Sequence, residues 1–152
     1  MDERGYNRKI LYNFSFFKPR EILVSFNKHK HTLRGFHFRK DLREKKIITC
    51  LQGEIFDVIV NLNKSSKNFL KSYIYKISAQ SNESVYCPAG YAHGYLTLCD
   101  NCEVHYSISS SYDESQDSGI IWNDATLNIN WPFKPSVISN KDLNLKKLNE
   151  VL

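Results

Sequence analysis

The 152-residue chain lacks the features of several protein classes. No apolar run approaches the roughly 20 residues that a helix needs to cross a bilayer. The N-terminus has no hydrophobic segment of the kind that directs secretion. Almost no segment repeats its apolar residues at the helical period. These absences argue against a membrane-spanning protein and a helical bundle, and they indicate a cytoplasmic protein.

Cysteine is also scarce, with four residues in the chain. Cys99 and Cys102 form one Cys-x-x-Cys pair, but no second pair is present to complete a tetrahedral zinc site. Cys50 and Cys87 lie in strand-like segments. We therefore expect structural thiols, with a redox pair at 99 and 102 as the alternative.

Composition and charge are those of an ordinary globular domain. Hydrophobic residues make up 41% of the chain and charged residues 24%, so we expect a single domain over residues 1–152. The net charge of +5 indicates an anionic partner. Because the basic residues are mostly dispersed and no nucleic-acid-binding motif is present, a nucleotide-binding cleft is favoured over a nucleic-acid surface.

Short runs of β-branched and aromatic residues, separated by turn signals, indicate an all-β fold. Strands of this length and spacing favour a sandwich or a barrel such as a jelly roll. Within 54–62, apolar residues on one face alternate with polar residues such as Asp57 on the other. Leucines spaced along residues 139–152 predict a short amphipathic helix packed outside the barrel. The predicted strands are 21–26, 46–51, 54–62, 72–77, 83–87, 94–98 and 103–108.

One motif lies between two of these strands, where Pro88-Ala89-Gly90-Tyr91-Ala92-His93 matches the second cupin motif, Pro-x-Gly-x-x-His. Metal-binding cupins add a His-x-His pair and a glutamate from an earlier strand. His29 and His31 supply the pair, but the next glutamate, Glu44, comes too far along and in a basic stretch. We therefore expect no metal ion.

A second motif is Arg34-Gly35-Phe36-His37, whose glycine allows the backbone to bend or to approach a ligand closely. Alone it is weak, because a histidine between two phenylalanines is more often a core residue. It stands in order with companion motifs at 46–50, 53–58, 106, 121–124, 130–132 and 138–142. Together, from Phe26 to Asp142, they closely resemble the dTDP-4-dehydrorhamnose 3,5-epimerase family.

The resemblance implies a cupin-type jelly-roll barrel that needs no metal or cofactor and usually works as a homodimer. The implied reaction is epimerisation at C3, C5 or both of a nucleotide-linked 4-keto-6-deoxy hexose, in the biosynthesis of cell-surface polysaccharide sugars. The family is generally longer than this chain at the N-terminus. Residues 1–20 would form a shortened arm, and Thr49 stands where the family often has an arginine.

The resemblance also assigns four catalytic roles. His37 would be the base and Asp142 the carboxylate that orients it, with Asp124 as the runner-up. Lys46 would hold the keto oxygen, and Tyr106 would deliver the new proton from the opposite face. These residue types suit the chemistry, because a proton next to a ketone is removed only if a base is close and the enolate oxygen is stabilised.

Six further residues match positions that bind the substrate in the family. Some have structural alternatives: His93 as a hydrogen-bonded structural histidine, Asn27 as a turn residue, and Gln52 as a solvent-facing polar residue. Asp142 itself would otherwise be interpreted as a helix cap. The six expected substrate-binding residues are Arg34, Arg4, His93, Tyr112, Gln52 and Asn27.

Three other functions remain open at this stage. A sugar-nucleotide 3,4-ketoisomerase would keep the fold, but relatives of that kind carry a second histidine soon after the first, and residues 38–40 have none. A cupin that binds sugar without turnover is the second alternative. A metal-dependent cupin oxygenase is the third.

Overall fold

The computed structural model describes residues 15–152. Ten strands account for most of its regular structure, and the helices are short. The strands are β1 (Glu21–Asn27), β2 (Thr32–Arg39), β3 (Lys46–Gln52), β4 (Glu54–Asn61), β5 (Ser72–Ser78), β6 (Ser84–Cys87), β7 (Tyr91–Thr97), β8 (Cys102–Ile108), β9 (Asp117–Gly119) and β10 (Val137–Ile138). The α-helices are α1 (Asn140–Leu143) and α2 (Leu148–Val151), and a 3₁₀ turn covers Glu114–Gln116.

The strands form two sheets. The smaller has the order β1-β8-β3-β6, and the larger has the order β10-β2-β7-β4-β5 with β9 also paired to β2. All these pairs are antiparallel except β10 with β2. Two facing antiparallel sheets with crossed strand order are the arrangement of a jelly roll. The all-β, cupin-type fold expected from the strand pattern and the motifs is confirmed.

The space between the sheets is filled from both sides. Ile48 and Val104 of the smaller sheet belong to one buried cluster with Ile55, Ile59 and Tyr95 of the larger sheet. All five are at most 4% exposed. Tyr106 is partly buried and packs against this cluster.

A second apolar cluster covers the outer face of the larger sheet. Phe36, Val58 and Val60 pack there against Leu127 and Trp131 from the chain beyond β9. Strand β4 alternates as predicted, and both of its faces are buried: Asp57 on the inner face is 0% exposed. The carboxylate of Asp57 therefore lies inside the barrel.

Strand β2 was not among the predicted strands, although it carries the Arg-Gly-x-His motif. Its pairing to β7 is irregular between Arg34 and His37, and Gly35 has a φ of +107°. A glycine at such an angle interrupts the alternation on which strand prediction depends. Tertiary pairing to three neighbours makes this segment a strand.

The prediction of a single amphipathic helix within residues 139–152 was wrong in detail. Ser139 caps the start of α1, which ends at Leu143, and Lys146 then makes a bridge to Ile120 before α2 begins. Leu148 in α2 is buried as expected. Bonding to the barrel divides the tail into two helices of four residues each.

Most of the predicted N-terminal arm, including Arg4, lies outside the described residues. Within residues 15–152, no helix is both long enough and apolar enough to span a membrane.

Candidate active site

His37 and Asp142 form a hydrogen-bonded pair at the wall of a cleft. Nε2 of His37 lies 2.8 Å from Oδ1 of Asp142. The histidine side chain is 34% exposed, whereas that of Asp142 is 4% exposed. An ionised carboxylate can only accept, so Nε2 donates and Nδ1 is left as the acceptor nitrogen. The pair therefore has a buried half that orients and an accessible half that can take a proton.

Gly35 links the two members of the pair through its backbone. Its N–H donates to Oδ2 of Asp142 at 3.0 Å. A Cβ at this position would lie 2.7 Å from the carbonyl oxygen of His93 and 2.8 Å from Cα of Gly94. Only glycine allows this approach of β2 to β7 together with a positive φ. The glycine of the motif thus holds the carboxylate that orients His37.

The start of helix α1 fixes Asp142 from the other side. The Ser139 hydroxyl accepts from the backbone N–H of Asp142 at 3.0 Å. Burial alone would raise the pKa of Asp142, but the hydrogen bonds from His37 and Gly35, with the charge of His37, bring that pKa below its usual value. Asp142 is therefore ionised at neutral pH.

Lys46 and Glu44 line the same cleft as His37. The cleft has a volume of about 240 Å³. Nζ of Lys46 lies 3.0 Å from Oε1 of Glu44, and both side chains are about 15% exposed. Tyr112, which is 68% exposed, stands at the rim. The structure thus brings three predicted site residues, His37, Lys46 and Tyr112, to one opening.

A second group of polar residues lies deeper in the barrel. Nε2 of His93 is 2.6 Å from Oδ1 of Asp57, and both side chains are almost fully buried. Tyr106 packs edge-to-face on His93 with 5.8 Å between ring centroids. Cross-strand pairing places His93 opposite His37. The inner group and the cleft therefore adjoin along β2 and β7.

Tyr106 is protonated at neutral pH. Burial raises the pKa of its phenol well above 10, and the neighbouring Tyr95 and Asp57 raise it further. A phenol that keeps its proton is a donor, which is the property that a general acid needs.

Asn27 of β1 binds Arg34, an exposed residue of β2 in the other sheet. Its Oδ1 accepts from Nε of Arg34 at 2.8 Å and from the Tyr95 hydroxyl at 3.2 Å. Asn27 is 2% exposed, and its amide also bonds the carbonyl of Cys102. Asn27 is therefore not a turn residue: it is the last residue of strand β1, and its buried side chain binds the Arg34 guanidinium.

Two other predicted residues lie elsewhere. Gln52 is exposed at the end of β3, beside the turn to β4, and does not line the cleft. Asp124 does not approach His37 through its hydrogen bonds: it accepts from the backbone N–H groups of Thr126, Leu127 and Leu148. Asp124 thus joins the tail to the barrel through these three backbone hydrogen bonds.

Sequence reasoning missed the role of two charged groups near the site. Glu44 lies between strands in a basic stretch, which argues against a metal-ligand role, yet it faces the cleft beside Lys46. Lys141 forms an ion pair with Asp117 of β9 at the mouth of the same cleft. For Glu44, the only signal in the sequence is its position two residues before Lys46.

Within residues 15–152, no three histidine, cysteine, aspartate or glutamate side chains converge as metal ligands. None of the four cysteines, all of which lie within residues 15–152, is in a disulfide, and Cys50 and Cys87 belong to the core between the sheets. Sγ of Cys99 and Sγ of Cys102 are 3.2 Å apart, beside Gly53.

The chain is similar to known proteins over nearly its whole length. A family model described as dTDP-4-dehydrorhamnose 3,5-epimerase matches residues 2–150. A protein of that name in Methanothermobacter thermautotrophicus is 35% identical over 98% of this chain and 85% of its own length.

Solved structures share the fold. The dTDP-4-dehydrorhamnose 3,5-epimerase of Bacillus anthracis, with TDP and PPi bound, has a TM-score of 0.91 at 35% identity and covers 97% of this chain and 89% of its own. A 3'-monoepimerase from Streptomyces bikiniensis in complex with dTDP-quinovose has a TM-score of 0.88 at 28% identity, over 97% of this chain and 79% of its own. Because the sequence match and the shared fold both extend over nearly the whole chain, the protein belongs to the dTDP-4-dehydrorhamnose 3,5-epimerase family, and the isomerase class expected from its motifs is confirmed.

Proposed function

We propose that the protein epimerises a nucleotide-linked 4-keto-6-deoxy hexose at C3, C5 or both. The observation that carries the proposal is the 2.8 Å contact between His37 and Asp142 at the wall of a cleft that also contains Lys46. A buried ionised carboxylate, an accessible imidazole and an ammonium are the groups needed to remove a proton next to a ketone.

In the proposed step, Nδ1 of His37 takes the proton from the carbon beside the keto group. The electron pair of the C–H bond moves to the keto oxygen, and the Lys46 ammonium stabilises the enolate that forms. Asp142 holds the ring in one tautomer and stabilises the imidazolium. Collapse of the enolate with a proton from Tyr106 on the opposite face inverts the carbon.

The proposed carrier is thymidine diphosphate. The net charge of +5 suits an anionic substrate, and the Bacillus anthracis relative was solved with TDP and PPi. Arg34, held by Asn27, and Arg4 would contact the diphosphate. The exposed ring of Tyr112 at the cleft rim would stack on the nucleotide, and His93 would meet the sugar.

The choice between C3 and C5 is part of the same proposal. The Streptomyces bikiniensis neighbour is a 3'-monoepimerase, and the Bacillus anthracis neighbour is a 3,5-epimerase, at nearly equal structural similarity. We propose the double epimerisation as the reaction to test first, with the single one at C3 as its variant.

Incubation with dTDP-4-keto-6-deoxyglucose in deuterated water tests the function. We expect deuterium at C3, at C5 or at both. Mass spectrometry measures the incorporation, and proton NMR assigns it to a carbon. His37→Ala should lower the rate of incorporation by about 10² to 10⁴-fold, while His29→Ala, at an exposed histidine, should leave it unchanged. If the wild-type protein incorporates deuterium at neither carbon but still binds the nucleotide, the epimerase is refuted and a sugar-binding cupin is favoured.

We also propose that the enzyme is a homodimer. Strand β1 is the outermost strand of the smaller sheet in the described chain, and its outward side chains Ile22, Val24 and Phe26 are 52% to 62% exposed. An apolar row on an unpaired edge strand is typical of an interface between copies. Light scattering on the wild type and on Val24→Lys tests this: the variant should be monomeric. A cytoplasmic location is proposed as well, because four cysteines outside disulfides fit a reducing compartment.

A further inference from the structure

Glu44 brings a negative charge into a cleft that we propose receives an anionic substrate. Its side chain is 15% exposed, and it lines the same opening as His37 and Lys46. A carboxylate at such a position weakens the binding of a nucleoside diphosphate by Coulomb repulsion. A compensating role is therefore expected for it.

The contacts of Glu44 connect the start of β3 with the segment that follows β8. Oε1 lies 3.0 Å from the Lys46 ammonium. Oε2 accepts from the hydroxyl of Ser110, beyond the end of β8, at 2.6 Å. The neighbouring backbone is tied as well, since the N–H of Lys45 donates to Oγ of Ser109 and the N–H of Ser109 donates to the carbonyl of Lys45. Both carboxylate oxygens of Glu44 thus have a partner, and the adjoining backbone at Lys45 is hydrogen-bonded to Ser109.

Lys46 needs such a partner for its position. A lysine ammonium is a point charge on a flexible four-carbon stem and has no fixed fork like that of arginine. The ion pair with Glu44 restricts the stem to the rotamers that keep Nζ at the cleft wall. A hydrogen bond from Ser110 in turn restricts Glu44. The chain Ser110, Glu44, Lys46 therefore reduces the freedom of the one group that we assign to the enolate oxygen.

We propose that Glu44 is a positioning residue that holds the Lys46 ammonium ready for the developing enolate oxygen, with Ser110 as its support. This inference rests on the proposed function, in which Lys46 contacts the keto oxygen. Glu44 acts through Lys46 and does not itself touch the reacting carbon. Its negative charge lowers affinity for the nucleotide and raises turnover through the geometry that it imposes.

Two variants of Glu44 separate positioning from folding. Glu44→Ala removes both contacts and should lower kcat by about 10- to 100-fold, the effect of a misplaced group in an active site. Glu44→Gln can still accept from Lys46 and bond Ser110, so it should recover most of kcat. Affinity for dTDP itself, measured by calorimetry, should stay equal or increase in both variants because a negative charge is removed.

Ser110→Ala completes a double-mutant cycle. It should lower kcat by a few fold in the wild-type background and have no further effect in the Glu44→Ala background, because its effect passes through Glu44. Glu54→Ala is the matched control: it breaks an ion pair of 3.2 Å with Lys76 that is exposed and outside the cleft, so kcat should not change.

Parallel assays of the wild type separate the outcomes. If the wild type exchanges deuterium and Glu44→Ala keeps its full kcat, this inference is overturned while the proposed function stands. If Glu44→Ala lowers kcat, the affinity for dTDP and the thermal midpoint together, Glu44 has a structural role and this inference is also overturned. If the wild type exchanges no deuterium at C3 or C5, the proposed function and this inference fail together.

Discussion

Asp142 lies 105 residues beyond His37 in the chain, yet its Oδ1 is 2.8 Å from Nε2 of that histidine. The second oxygen of the carboxylate is held by the N–H of Gly35, two residues before the histidine. One buried carboxylate therefore bonds both the ring and the strand that bears it, which fixes the imidazole in position and in tautomer.

Replacement of either member of this pair should separate rate from stability. We expect His37→Ala to lower the rate of deuterium incorporation by about 10² to 10⁴-fold, the usual contribution of a general base. Asp142→Asn should lower it as well, because an amide that donates to Nε2 imposes the wrong tautomer. Rates measured at equal folded protein, with thermal midpoints recorded alongside, check this. A histidine variant that keeps its rate would contradict the assignment.

Gly35→Ala should be far more damaging than Gly90→Ala, although both glycines have a positive φ. At Gly35 the new Cβ would meet backbone atoms at 2.7 and 2.8 Å, whereas at Gly90 its nearest neighbour is 3.8 Å away. The left-handed backbone alone costs about 1 to 2 kcal/mol, so Gly90→Ala should lose about that much in urea unfolding. Gly35→Ala should lose more and should also lose activity. Equal losses at the two positions would show that crowding at Gly35 is relieved.

Tyr106→Phe should separate proton removal from inversion. Because the raised pKa of Tyr106 keeps its phenol protonated, loss of the hydroxyl removes a donor but leaves the base. We expect net conversion of substrate to fall by about 10²-fold, while deuterium still enters unconverted substrate through His37. Tyr75→Phe, an exposed strand tyrosine, serves as the control. Parallel loss of exchange and conversion would show that Tyr106 is not the acid for inversion.

Asp124 should contribute to stability and not to the rate. Asp124→Asn disrupts acceptance from three backbone N–H groups, which should cost about 1 to 3 kcal/mol in the free energy of unfolding. Activity per folded molecule should not change. A fall in kcat at unchanged stability would instead revive Asp124 as the orienting carboxylate.

The stability difference between the wild type and Asp124→Asn should depend on pH. Burial would raise the pKa of Asp124, but the three N–H groups bring it below its usual value. A lowered folded-state pKa stabilises the protein fully above the unfolded pKa of about 4, and the stabilisation disappears as pH falls through the folded value. The difference in free energy should thus be constant near neutrality and shrink in acid.

Much of the fold was predictable because strand formation follows local alternation. The strands from β3 to β8 were all predicted, with ends that differ by three residues or fewer. Prediction failed where tertiary pairing overrides local pattern: Gly35 interrupts β2, and β9 and β10 have three and two residues. The leucine spacing predicted one helix in the tail, but bonds to Asp124 and Ile120 divide that segment into two.

The sequence by itself determined the all-β class, the motifs and the residue types of the candidate site, because these depend on alternation and on spacing along the chain. Only the tertiary structure decided which groups meet. It joined Asp142 to His37 across 105 residues, left Gln52 outside the cleft, and turned Glu44 towards Lys46. The physical reason is that contacts between distant segments depend on sheet pairing and backbone approach. Gly35 sits where that approach is closest.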